Sequence, residues 1–177
     1  MMAVGVGNIS FLQVDAAPSD GTELQGHVRS VNDDLFGYYF SGKELRVGSF
    51  VFSMISLGGP GEFDAYENGK NEYESYAPFM LEFEDVSSAK KENELGQVYY
   101  ENSPRVLPVA YKVSKEVLAF KGTDPLLGEV SFHGQLDTVA LKKSQEGESP
   151  EIIVLTGDLT FAGETFRGVT FTWFGGD

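Results

Sequence analysis

The chain has 177 residues, no cysteine, and a net charge of −14 from 27 acidic and 13 basic side chains. That length fits one β-rich domain over 1–177, long enough to bury a core without staples. The lack of cysteine excludes disulfides, thiolate nucleophiles and cysteine metal sites, and the acidity disfavours nucleic acid and anionic membranes, whose binding needs clustered Lys and Arg.

The opening "MMAVGVGNISF" has neither a basic region nor a sustained apolar stretch, so as it stands it does not read as a secretory leader, and compartment stays open. Asn8-Ile9-Ser10 is a glycosylation sequon, a triplet that recurs by chance. No apolar run reaches the roughly 18 residues a spanning helix needs. Further on, Leu24 and Val28 alternate with Glu23, Gln25, His27 and Arg29. This predicts a strand with Leu24 and Val28 inward and His27 and Arg29 on a polar face. "VNDDLFG" reads as a turn, and "YYF", "SGKE" and "LRVGSFVFSMIS" as a hairpin with Leu45 to Ile55 as its long second arm.

Residues 57–77 are acidic, glycine-rich and tyrosine-bearing, and are expected to be a loop. "PFMLEFEDV" and "VLPVAYKV" are strand candidates, and Pro108 places the second at an edge or at a strand start. Helix signals are few. "SAKKENELG", capped by Ser87 or Ser88 and stopped by Gly96, carries no apolar stripe and supports at best a short exposed turn or two. "SKEVLAFKG" fits helix or strand, and "TDPLLG" is a turn.

The last third alternates most clearly. "GEVSFHGQLDTVAL" puts Val130, Phe132, Leu136 and Ala140 on one face, and Ser131, His133, Gln135 and Asp137 on the other. "LKKSQEGESPE" follows as a polar loop. Ile153, Leu155, Gly157, Leu159 and Phe161 then share one parity, Ala162-Gly163-Glu164 turns, and Val169, Phe171 and Trp173 share another. This is a β-hairpin whose second strand ties the only tryptophan into the core. The whole pattern predicts an all-β, single-domain antiparallel barrel or sandwich of about eight to ten strands, with at most one or two short helices.

Chemistry is sparsely signalled. There is no G-x-S-x-G elbow, no P-loop and no dinucleotide fingerprint, so no cofactor is expected. Two histidines are too few for a histidine triad, and the carboxylates Asp64, Glu67, Glu72 and Glu74 lack EF-hand spacing, so no metal is expected. The candidate catalytic residues are His27 and Arg29 on one polar strand face and His133 and Asp137 on another. If both faces meet, they bring base, acid and donors together. The candidate ligand-binding residues are Phe132, Leu136, Phe171 and Trp173, large apolar groups on inner faces. Gly26, Gly134 and Gly157 share those faces, and either open a pocket or allow the sheet to bend.

"LTGDLTFAGET" resembles the Gly-Asp-Leu-Thr hairpin of bacterial periplasmic polyisoprenoid-binding barrels, a lipocalin-like family. The likeness is confined to this hairpin and lacks the family's N-terminal signature. What it implies is a barrel around an apolar ligand. Three functions therefore stand as expectations. One is a non-enzymatic lipocalin-like barrel holding a small apolar ligand. Another is a structural or protein-interaction subunit of a larger assembly, viral or secretory for example. The third is a small enzyme using His27 and His133.

Overall fold

The computed structural model of the chain describes residues 23–176. The glycosylation sequon and the N-terminal stretch lie outside the described residues. In chain order the elements are β1 (His27–Arg29), β2 (Gly37–Ser41), β3 (Arg46–Val47), β4 (Phe50–Leu57), α1 (Pro60–Glu67), β5 (Phe79–Asp85), β6 (Lys90–Glu92) and β7 (Val98–Tyr100). They continue as β8 (Arg105–Val106), β9 (Pro108–Val113), β10 (Val117–Asp124), β11 (Gly128–Leu136), α2 (Thr138–Gln145), β12 (Ile153–Phe161) and β13 (Glu164–Phe174).

Eleven strands form one curled sheet, ordered β1-β9-β10-β11-β12-β13-β2-β4-β5-β8, with β3 on β4; β6 and β7 form a separate ribbon. The all-β class stands, but the sheet is a half-barrel and not the closed antiparallel barrel or sandwich expected. Two features explain this. β1 joins β9 in parallel, which makes the sheet mixed. The run from Arg105 to Val113 serves both ends of the sheet, since β8 pairs with β5 while β9 pairs with β10. Only Arg105 and Val106 pair with β5, too short a contact to close a barrel. Pro108 begins β9, where its missing N–H is least costly.

The inner face is filled by rings. Phe52 meets Phe83 at 5.6 Å and Phe171 at 6.1 Å, Phe83 meets Phe161 at 4.9 Å, and Phe132 meets Phe171 edge-on at 5.5 Å. Among the described residues, every buried side-chain nitrogen or oxygen has a hydrogen-bond partner.

β13 is an inner strand, between β12 and β2. Its alternation is interrupted by a bulge: Phe166 faces Leu159 and Val169 faces Gly157, so Arg167 and Gly168 together oppose Asp158. The extra residue puts Phe166 and Val169 on the same inner side despite unlike parity. Gly168 has φ 60°, and its N–H donates to Asp158 Oδ1 at 2.8 Å, while the Arg167 guanidinium reaches Oδ2 at 3.1 Å. Phe166 then stacks on Phe161, centroids 5.3 Å apart.

Several expectations need correction. Val28 is 48% exposed, and His27 and Arg29 are half-buried, so β1 is turned over relative to its apolar pattern. Ile153 faces out, because a bulge after it shifts β12 by one residue against β13. The alternation of β11 stops at Leu136. Asp137 caps α2 by accepting from the Ala140 N–H at 2.9 Å, so Ala140 is helical, and the expected polar loop begins as a helix with Leu141 buried. Residues 57–77, expected to be a loop, contain α1. "SAKKENELG" contributes to the β6–β7 ribbon, and "SKEVLAFKG" settles as β10. The long arm from Leu45 is broken at Gly48 into β3 and β4.

Candidate functional site

His27 and Arg29 do come together, under α1. His27 is aligned across the sheet with Tyr111, Phe120 and Phe132, so it lies on the inner side. Its Nε2–H donates to the Pro108 carbonyl at 3.2 Å, and its ring packs edge-on to Tyr66 at 5.2 Å and against Tyr111 at 5.0 Å. The Arg29 guanidinium lies 5.5 Å over the Phe63 ring and 3.8 Å from Asp64. Tyr111 donates its hydroxyl to Glu67 at 2.8 Å. Burial, and then the Glu67 hydrogen bond and charge, hold the Tyr111 phenol well above its ordinary range, so it stays a neutral donor.

α1 is lightly attached. Half of a capping box opens it, with the Gly59 N–H donating to Glu62 at 2.6 Å, and Pro60 takes the first helical position. Phe63 is its one buried side chain, a burial worth about 1.5–3 kcal/mol. The Tyr111–Glu67 bond adds about 1.5–3 kcal/mol. Asp64 is 71% exposed, so its pair with Arg29 contributes about 0–1 kcal/mol.

His133 and Asp137 do not join that cluster. His133 pairs across the sheet with Asp158 and is exposed on the outer face, opposite to the side of His27. Asp137 is engaged as the α2 cap. Among the described residues no three His, Asp or Glu side chains gather as a metal site.

Phe132, Leu136 and Phe171 are buried in the core. Trp173 is half-buried on the inner side of β13, and its indole N–H donates to the Phe36 carbonyl at 2.9 Å.

What sequence reasoning missed is the outer face of β12, β13 and β2. Tyr38 pairs with Phe174 and Phe40 with Thr172, which also pairs with Ile153. Phe36, Phe40, Phe174 and Ile153 are 42%, 37%, 45% and 52% exposed, and Phe36 meets Tyr38 at 6.4 Å. The available signal was parity: if Tyr39 and Trp173 face inward, Tyr38, Phe40 and Phe174 must face outward. Carboxylates flank this face. Asp34 caps the Phe36 N–H at 3.0 Å, and Glu82 accepts from Ser56, the cross-strand partner of Tyr38, and pairs with Arg105 at 3.5 Å, which offsets its charge.

Elsewhere, a groove of about 620 Å³ lies between α2 and Asp33–Leu35, with Lys115, Lys142 and Lys143 facing Asp33, Asp34 and Glu146, so its charges offset one another. None of the helices among the described residues is long and apolar enough to cross a membrane. Comparison with protein-family models, curated proteins and solved structures finds no match for this chain.

Proposed function

We propose that this chain is a non-enzymatic protein-interaction subunit that docks through the outer face of β2 and β13. The observation that carries the reading is the exposed set Phe40, Ile153 and Phe174 on adjacent strands, extended by exposed Phe36 just before β2 and half-buried Tyr38 beside it. Exposed apolar clusters with polar borders mark binding surfaces, and aromatic side chains supply most interface anchors. Charge specifies the partner. With a net charge of −14 and Asp34 beside the aromatic face, it fits a protein presenting an apolar patch bordered by Lys and Arg.

The test places a photo-crosslinking phenylalanine analogue at position 40, and at position 133 on the outer face of β11 as control, in the native host. The expected adduct forms from position 40 alone, maps to a Lys- and Arg-bordered apolar surface, and disappears with Thr172→Arg. Equal adducts from both positions, or none from position 40, would overturn the proposal.

A further inference from the structure

α1 offers the sheet a phenyl ring, Phe63, and two carboxylates, Asp64 and Glu67. The inner side answers with an aromatic wall and donors: Tyr111 beneath the ring at 5.5 Å, Phe79 beyond it at 6.2 Å from Tyr111, Arg29 over the ring, and the Tyr111 hydroxyl. The Arg29 side chain is only 10% exposed, yet its one ion-pair partner among the described residues is the solvent-facing Asp64, 3.8 Å away. Glycines bracket the helix: Gly58 and Gly59 lead into it, and Gly69, at φ 67°, follows the C-cap Asn68. A short helix with one buried side chain and glycine at both ends belongs to the low-stability part of a fold.

We propose that α1 is a hinged cover over a binding site for an aromatic carboxylate, and that the helix fills this site as an internal imitation of the ligand. The aryl group takes the place of Phe63 against Tyr111 and Phe79. The carboxylate takes the place of Asp64 and Glu67 on Arg29 and the Tyr111 hydroxyl. The ligand replaces the acceptors that Asp64 and Glu67 withdraw from Arg29 and the Tyr111 hydroxyl, while the Tyr76–Glu62 bond at 2.6 Å, at the exposed edge of the helix, must break or move with it. The site is independent of the outer aromatic face and of any partner bound there.

The experiment uses 2-naphthoate, with naphthalene-2-methanol as its uncharged counterpart, and measures Kd by calorimetry on the full chain. Wild type is expected to bind the carboxylate and to prefer it over the alcohol by about tenfold or more, the preference being lost in Arg29→Met. The pair Asp64→Ala with Glu67→Ala is expected to bind about tenfold tighter, since a cover that opens more often lowers the apparent Kd by the same factor. Hydrogen exchange on wild type provides a readout that needs no variant. Saturating 2-naphthoate is expected to speed exchange at the amides of Phe63 and Asn68 while leaving Phe79 to Phe83 protected. Unchanged or slower exchange in α1, equal affinity with and without its carboxylates, or no binding to any form would each overturn the proposal.

Discussion

The Phe132 ring lies where a side chain on Gly134 would be: a Cβ there would sit 2.5 Å from the ring Cζ. Gly157, the cross-strand partner of Gly134, is hemmed in mainly by backbone, since its Cβ would meet the His133 carbonyl oxygen at 2.5 Å as well as the Phe132 Cζ at 2.8 Å. The two glycines therefore give room to one phenylalanine and to a close backbone approach. Gly134→Ala is expected to cost about 1–3 kcal/mol by overpacking, and Phe132→Ala about 3–5 kcal/mol by leaving a cavity. Combined, the two should be coupled by about 0.5–3 kcal/mol, because truncating the ring removes most of the clash. Gly157→Ala should show less relief, because its Cβ would still meet the His133 carbonyl oxygen at 2.5 Å once the ring is gone. Urea unfolding of the singles and doubles checks both, and additive costs for Phe132 and Gly134 would contradict the close contact.

Ending the chain before Gly168 should unfold it. The truncation removes Val169, Phe171 and Trp173 from a strand paired on both sides, and exposes edges on β12 and β2. Near-UV circular dichroism reads the result; a truncated chain melting within a few degrees of wild type would show that β13 is dispensable.

The chain should lose stability as pH climbs above 10. Tyr39, Tyr76 and Tyr111 each have phenols raised from the ordinary value of 10.0, in every case chiefly by burial. Asp34 adds to the effect on Tyr39 and Glu62 to that on Tyr76. A raised folded value means the unfolded chain gives up these protons first. The contribution is therefore complete below pH 10 and is lost as pH rises through the folded values. Spectrophotometric titration should show these three ionising only as the chain unfolds. Ionisation of all eight tyrosines in the folded chain would refute this.

Excising the β6–β7 ribbon should leave the melting temperature nearly unchanged. Leu95 at its tip is 83% exposed, and the ribbon is held internally by Lys91–Glu101 at 2.6 Å and Lys90 over Tyr100 at 5.5 Å. Its two ends already meet, because the Asn102 N–H donates to Ser88 Oγ at 3.1 Å. A Gly-Gly link from Ser88 to Asn102 should thus be tolerated, as surface changes usually fall within about 0.5 kcal/mol. A large drop in calorimetric melting temperature would mean the ribbon braces the sheet.

Legibility followed alternation. β11 and β13 were readable because Val130, Phe132 and Leu136, and Val169 and Phe171, carry period two against polar neighbours. β1 was not, because its side chains answer to α1: Arg29 turns in toward Phe63 and Asp64, and Val28 is left outside. α1 itself was hidden because a helix burying one residue has no apolar stripe, although Pro60 and Glu62 mark its start. α2 was masked because Leu136 and Ala140 extend the strand parity past the cap at Asp137. Pairing order lies beyond any local pattern, so His27 and His133 looked alike in sequence yet fall on opposite sides of one sheet.

The position of β13 between β12 and β2 also shapes how the chain reaches its fold. Tyr38 and Phe174 are partners across most of the described length, so this pairing closes a very large loop. Pairings of such separation put folding in about the millisecond-to-second range, slow beside the hairpins β10–β11 and β12–β13, which close locally. Until β13 arrives, β2 offers an open backbone edge next to Tyr38 and Phe40. Early species should be prone to strand-to-strand aggregation at that one place, and the high negative charge then serves to keep them apart while the pairing completes.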